Sequence, residues 1–427
     1  MKIVSTRDRG FQAIFRRVCT RSLHQNGQIE RSVRSILRAV EQHGDAAVVR
    51  YAKKFDGVRL KPSDFLVRPE EIKQAHAKIR KEEGDALRFA ARRIRGFHER
   101  QRTSTWIYQE QGVRLGQLIT PLDVVGLYVP GGKALYPSTV LMNAIPAKVA
   151  GVPQVIMCTP TSTGEINPYL LVAADIAEID EIYRVGGVQA IGAMAFGTGT
   201  IPRTDKIVGP GNLYVAMAKR VVFGTVGIDM IAGPSELLVI ADETANPSHV
   251  AADLLCEAEH DEEARVYLVT PSSPLAKAVD GEIEKQLVKL SRERIAAKSI
   301  RRHAVAFVVP NMEKAVELSN AIAPEHLEIV VDRAFDYLGQ IRNAGALFLG
   351  KYTPPAVADY VAGPNHVLPT NGSARFFSAL SVSDFVKRTN IVSYDREGLR
   401  AVKPYVTRLA NMEGLQAHAR SMESRAL

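Results

Sequence analysis

The sequence predicts an α/β protein with two doubly wound, mainly parallel sheets and helical extensions at both ends. Two observations carry this. Nine short apolar runs suited to strands fall between residues 120 and 350, and helix-like stretches lie between most of them. The segments before and after this region read as helix and loop. Strand–helix–strand alternation implies right-handed crossovers and parallel pairing, and nine strands at this spacing suit two sheets better than one.

Taken in order, IERSVRSILRAVEQHG carries apolar residues at helical spacing and stops at a glycine. Asp45 then stands where it can cap AAVVRYAKKFDG. Pro69 to Arg102 reads as a long, charged, amphipathic helical segment. The strand-like runs VVGLYV, QVIMCT, EIYRV and DKIVG belong to one sheet near 120–235. ELLVIA, RVYLVT, AVAFVV, EIVV and ALFLG belong to a second sheet beyond it. Helices between them include TVLMNAIPAKVAG, YLLVAADIAEI, NLYVAMAKRVVF, HVAADLLCEAEHD and MEKAVELSNAIA. The tail beyond Asp384 is expected to return to helix and loop.

Composition limits the function classes. With 46% hydrophobic and 24% charged residues, the chain can build a substantial core and is not of the disordered class. No apolar run reaches the roughly 18 residues that a spanning helix needs. The start, MKIVSTRDRGFQAIFRR, has no apolar stretch of signal-peptide type. Three scattered cysteines (Cys19, Cys158, Cys256) argue for a reducing, cytoplasmic setting. The net charge of +9 is uneven: residues 1–102 hold 25 Lys and Arg against 12 Asp and Glu, and the rest hold 30 against 34. A solvated helix face or an oligomer contact explains this better than nucleic-acid binding, because no aromatic interleaving accompanies it.

Two glycine-rich turns stand between strand and helix. Tyr128-Val129-Pro130-Gly131-Gly132 precedes a helix that Ser138 or Thr139 can cap, and Gly209-Pro210-Gly211-Asn212 precedes another. Ligands of open α/β sheets bind at such carboxyl-end turns, and helix-start N–H groups suit a phosphate. Tight chain reversal alone explains the glycines equally well, since no G-x-G-x-x-G run is present.

Ten histidines occur. His24, His43, His76, His98 and His303 lie in charged helical surroundings, and His249 sits at a helix start. Four others stand beside acids. Glu257 and His260 end a helix three residues apart and share a face, an arrangement known for metal ligands and equally for exposed helix ends. Pro324-Glu325-His326-Leu327 sits at a helix-to-strand corner, where a base poised near neutral pH is available for proton transfer. Asp359 and His366 lie in the long Pro/Gly loop GKYTPPAVADYVAGPNHVLPTNGSARFF. His418 lies in a short helix, five residues after Glu413. Such a nitrogen and oxygen donor set suits zinc with room for substrate, although spacing does not bring these positions together.

The stretches LYVPGGKALYPSTVLMNAIPAKVAGV, RVGGVQAIGAMAFGT, DKIVGPGNLYVAMAKR, IDMIAGPSELLVIAD, AEHD, APEHLE, NAGALFLG, DYVAGPNHVLPTNGSARF and GLQAHARSM occur in this order. In them the chain closely resembles the histidinol dehydrogenases, over nearly its whole length. The resemblance implies an intertwined homodimer with two Rossmann-like domains. It divides the chain into an N-terminal extension (1–25), a zinc and catalytic domain (26–120 with 236–380), an NAD-binding domain (121–235) and a C-terminal dimerisation tail (381–427). It implies one zinc per site, held by Glu257, His260, Asp359 and His418, and an acid–base pair of Glu325 and His326. Substrate contacts would come from Ser235, His366 and Glu413, together with Glu257, His260, Glu325, Asp359 and His418. NAD contacts would come from Tyr128, Gln189 and Asn212. His418 and Glu413 would reach the site from the neighbouring subunit. The implied reaction is oxidation of L-histidinol to L-histidine through histidinal with two NAD, and no nucleic-acid or membrane partner. A paralogue acting on another small polar alcohol, and a zinc hydrolase, are the rival readings. One residue departs from the family pattern, which usually reads Gln-Ala-Glu-His where this chain has Glu257-Ala258-Glu259-His260.

Overall fold

All nine apolar runs form strands, and they divide between two parallel sheets. This is seen in a computed structural model that describes residues 1–21, 27–131, 136–231 and 233–425; His24 and Gly132 lie outside the described residues. The first sheet has six strands in the order Lys2–Ser5, Val305–Val308, Arg265–Thr270, Glu236–Ala241, His326–Val330 and Ala346–Leu349, all parallel. The second has five, in the order Glu181–Tyr183, Gln154–Cys158, Val124–Tyr128, Lys206–Val208 and Gly227–Ile228, again parallel. Every residue of the central strand Glu236–Ala241 is buried. Helices cover both faces of this sheet, which explains the unbroken apolar run. Leu237, Val239 and Ala241 pack under the helix Pro247–Ala258, whereas Leu238 and Ile240 pack on the opposite side with Phe11 and Val316.

The structure corrects several expectations. Lys2–Ser5, read as part of an extension, is an edge strand of the six-stranded sheet. The early helices, assigned with residues 236–380, cover the five-stranded sheet instead. Val33, Ile36, Leu37 and Val40 of helix Gly27–His43 share a core with Ile156, Ile191 and Met194. Ala90, Ala91 and Ile94 of helix Lys81–Glu99 join Leu127 and Val155 on the other face. A third, antiparallel sheet joins Trp106–Glu110, Val113–Pro121 and Val386–Tyr394, so the C-terminal tail opens with a strand before its helices Arg396–Met412 and Gln416–Glu423. Asp45 caps no helix: it is the first residue of helix Asp45–Tyr51, and its carboxylate accepts from the Thr200 hydroxyl at 2.8 Å. Helix Pro137–Ala150 starts before Ser138 and Thr139, so neither residue caps it. Asp359, expected in irregular loop, lies in the short helix Pro355–Tyr360.

Candidate active site

The site forms at the amino end of the six-stranded sheet. The helix Pro247–Ala258 runs back across that sheet and delivers Glu257 at its C-terminal turn, beside the first residue of strand His326–Val330. Glu325 and His326 follow the helix Met312–Ile322 through a sharp corner, in which Ala323 adopts a left-handed φ of 52°. Both residues are buried, at 7% and 6% exposure, which rules out a surface corner.

Three groups converge. Glu257, Glu325 and His326 each offer a ligand-type atom within 4.8 Å of the others. His326 Nδ1 lies 3.1 Å from the backbone carbonyl of Glu236 and 3.4 Å from Glu257 Oε2. The hydrogen-bond partner of Nδ1 is a backbone carbonyl, which can only accept. Nδ1 therefore carries the ring proton and Nε2 keeps the lone pair needed by a base. The Glu325 carboxylate accepts from the Glu236 backbone N–H at 2.8 Å. Burial pushes the Glu325 carboxyl well above the usual carboxylate range, and the Glu257 charge adds to this.

His260 and Asp359 belong to the same neighbourhood. His260 Nδ1 is 3.3 Å from the Glu257 carbonyl and 3.6 Å from Glu257 Oε1. The Asp359 carboxylate acts electrostatically on Glu325, Cys256 and His366. His366 Nδ1 donates to the Asp359 carbonyl at 2.9 Å, and its Nε2 lies 3.3 Å from the Thr139 hydroxyl. Burial lowers the imidazole's affinity for a proton. Thr139 stands in the first turn of helix Pro137–Ala150, just beyond the carboxyl end of strand Val124–Tyr128. That contact sets the carboxyl end of the five-stranded sheet against the amino end of the six-stranded one. Ser235, half-buried, immediately precedes strand Glu236–Ala241.

A divalent cation suits this donor set. Glu257 is 3% exposed, and its Oε1 has no hydrogen-bond partner among the described residues. A buried carboxylate oxygen left bare is costly, and a cation would satisfy it. Glu413 and His418 are not brought to the site by their own chain. Both are exposed in the C-terminal helical segment.

The glycine-turn residues gather at the carboxyl end of the five-stranded sheet. The Tyr128 hydroxyl accepts from the Gly187 N–H at 3.0 Å, and burial pushes its pKa up to about 12. Gln189 is fully buried; its Nε2 reaches Asp56 at 3.4 Å while its Oε1 stays unpartnered. Asn212 caps helix Leu213–Val222, with its side chain accepting from the N–H groups of Tyr214 and Val215 at 3.0 and 3.1 Å.

Sequence reasoning missed Glu236, whose backbone touches both Glu325 and His326, and the carboxyl pair Asp253–Glu328 behind them. The signal was an acid inside or heading an apolar strand run, as in ELLVIA and HLEIV.

The family model described as histidinol dehydrogenase matches residues 19–426. A histidinol dehydrogenase of Geobacter metallireducens is 49% identical over 427 residues, covering 100% of this chain and 98% of the relative. One from Bacillus cereus is 52% identical over 398 residues, covering 93% and 92%. A crystal structure of histidinol dehydrogenase from Elizabethkingia anophelis superposes with a TM-score of 0.94 at 37% identity, covering 100% of this chain and 98% of that one. The chain belongs to the histidinol dehydrogenase family.

Proposed function

We propose that the protein oxidises L-histidinol to L-histidine through histidinal, as a zinc-dependent, NAD-linked homodimeric enzyme. The observation that carries this reading is the buried convergence of Glu257, Glu325 and His326 within 4.8 Å, in a member of this family. Zinc would be held by Glu257, His260, Asp359 and the partner's His418, and when bound it supplies a Lewis-acidic anchor for the substrate's imidazole and amine. Tyr128, Gln189 and Asn212 would receive NAD, the hydride acceptor. Ser235, His366 and the partner's Glu413 would orient the substrate.

The chain's own residues account for proton movement. His326 Nε2 takes the hydroxyl proton as the alcohol is oxidised, and its Nδ1–H stays fixed on the Glu236 carbonyl. Glu325 takes a proton from the water that adds to the aldehyde, and His326 assists again as the hydrate is oxidised. Burial of both groups keeps bulk water from the reactive aldehyde. The two-subunit site has a physical basis. In one chain Trp106, Ile107, Tyr108, Val392, Leu409 and Met412 leave an apolar surface on the third sheet and tail that a second copy would cover.

Counting reduced NAD per histidinol consumed tests this reading. Two per substrate is the expected result. One would indicate a simple alcohol dehydrogenase, and none would contradict the assignment.

A further inference from the structure

Arg21 lies far in sequence from every residue of the site, yet its guanidinium grips both structures that hold the Glu325–His326 pair. Its side chain is 3% exposed. Nε and Nη2 donate to the two carboxylate oxygens of Glu236 at 2.5 and 2.7 Å, the paired geometry that arginine makes with carboxylates. Glu236 is the residue whose backbone N–H binds Glu325 and whose carbonyl binds His326. Nη2 also donates to the Ile322 carbonyl at 3.0 Å, with a longer contact of 3.4 Å to Ala323. Nη1 donates to the Val18 carbonyl at 2.7 Å and ties the group to the end of helix Phe11–Cys19.

Those two carbonyls have particular weight. They end the helix Met312–Ile322, where carbonyls lack helical partners, and Ala323 there holds a left-handed φ of 52° that a residue with a Cβ adopts only under strain. The next two residues after Pro324 are Glu325 and His326. Arg21 thus fastens the strained corner on one side of the pair and the first residue of strand Glu236–Ala241 on the other. Arg265 completes the clamp, with Nη1 at 3.2 Å from Glu236 Oε1 and 2.7 Å from Asn371 Oδ1.

From this geometry we infer that Arg21 is a positioning residue for the proton-transfer pair, acting through Glu236 and the Ile322–Ala323 carbonyls. Its own hydrogen bonds go to Glu236 and to the Val18, Ile322 and Ala323 carbonyls, one step removed from Glu325 and His326. The inference rests on the proposed reaction for its kinetic test, and a substrate-free measurement separates the two.

Arg21→Ala and Arg21→Lys are compared with wild type in the full-length, zinc-loaded protein. A misplaced pair should lower kcat by about tenfold to a hundredfold while the KM for histidinol stays within about threefold. Millimolar guanidinium should restore most of the Arg21→Ala loss and leave wild type unaffected. Arg21→Lys, which keeps the charge but not the fork, should remain impaired. Histidine-selective 15N NMR without substrate should show His326 held as the Nδ1–H form in wild type and mixed with the Nε2–H form in Arg21→Ala. Wild-type kcat in folded variants would overturn the inference, as would losses that follow melting temperature with no guanidinium rescue and an unchanged His326 tautomer. If wild type itself does not oxidise histidinol, the proposed function fails and the tautomer measurement still decides the role of Arg21.

Discussion

The imidazole Nδ1 of His326 donates to the backbone carbonyl of Glu236 across 3.1 Å, between the first residues of two neighbouring parallel strands. A strand backbone thereby fixes which ring nitrogen is free. His326→Ala should slow alcohol and aldehyde oxidation alike, each by about a hundredfold or more, the usual worth of a positioned general base. Single-turnover rates with histidinol and with histidinal measure this. An unaltered first hydride transfer would remove His326 as the first base.

Burial raises the pKa of Glu325, and the neighbouring Glu257 charge raises it further. Removing that charge by Glu257→Gln should let Glu325 ionise at lower pH. The rising limb of aldehyde oxidation should then move to lower pH, and zinc should be held less tightly, since one of two anionic donors is lost. A variant with the wild-type pH profile and zinc affinity would show that Glu257 neither binds the metal nor faces Glu325 electrostatically.

Asp253, half-buried, and Glu328, buried, form a second carboxyl pair. They stand one helical turn before Glu257 and two strand residues after His326, and share a hydrogen bond. Burial pushes Glu328 up to about 9 and Asp253 up to about 6, so the pair holds a proton through neutral pH. A carboxyl whose folded-state pKa is raised stabilises the fold below its unfolded pKa, and that contribution is lost as pH rises toward the folded value. Glu328→Gln, which mimics the protonated form, should match wild type near pH 5 and exceed it near pH 9 by up to roughly 5 kcal/mol, about 1.4 kcal/mol for each pH unit between. Melting temperatures at the two pH values check this. A variant less stable at high pH would contradict the shared proton.

His418 is exposed in its own chain, in the helix Gln416–Glu423. If it serves the partner's site, His418→Ala should abolish activity. Mixed with His326→Ala, which is slowed in both steps, under conditions that allow subunit exchange, it should recover up to about a quarter of wild-type activity per site, because about half of the dimers are hybrids and one of the two sites in each is intact. No recovery in verified heterodimers would place His418 outside a shared site.

What the sequence revealed follows from the range of each signal. The strand runs ELLVIA and RVYLVT announce themselves because a two-sided buried sheet demands unbroken apolar residues. The corner before His326 was legible because Pro324 ends a helical pattern. The third sheet was missed because Trp106–Glu110 and Val386–Tyr394 are largely exposed and show no buried run. The hairpin turn that joins Trp106–Glu110 to Val113–Pro121, Gln111-Gly112 with φ of 46° and 75°, was the available local sign. The packing side of helix Gly27–His43 could not be read, because an amphipathic stripe says how much is buried but not against what. The Arg21–Glu236 contact joins residues 215 apart in sequence and carries no local pattern.

The role proposed for Glu325 is activation of the water that converts aldehyde to acid. Glu325→Gln supplied directly with histidinal and NAD isolates that step, read as reduced cofactor in a single turnover beside the same variant given histidinol. The expected result is aldehyde oxidation slowed by about a hundredfold or more, with the alcohol step reduced far less. Wild-type oxidation of histidinal by that variant would contradict the account.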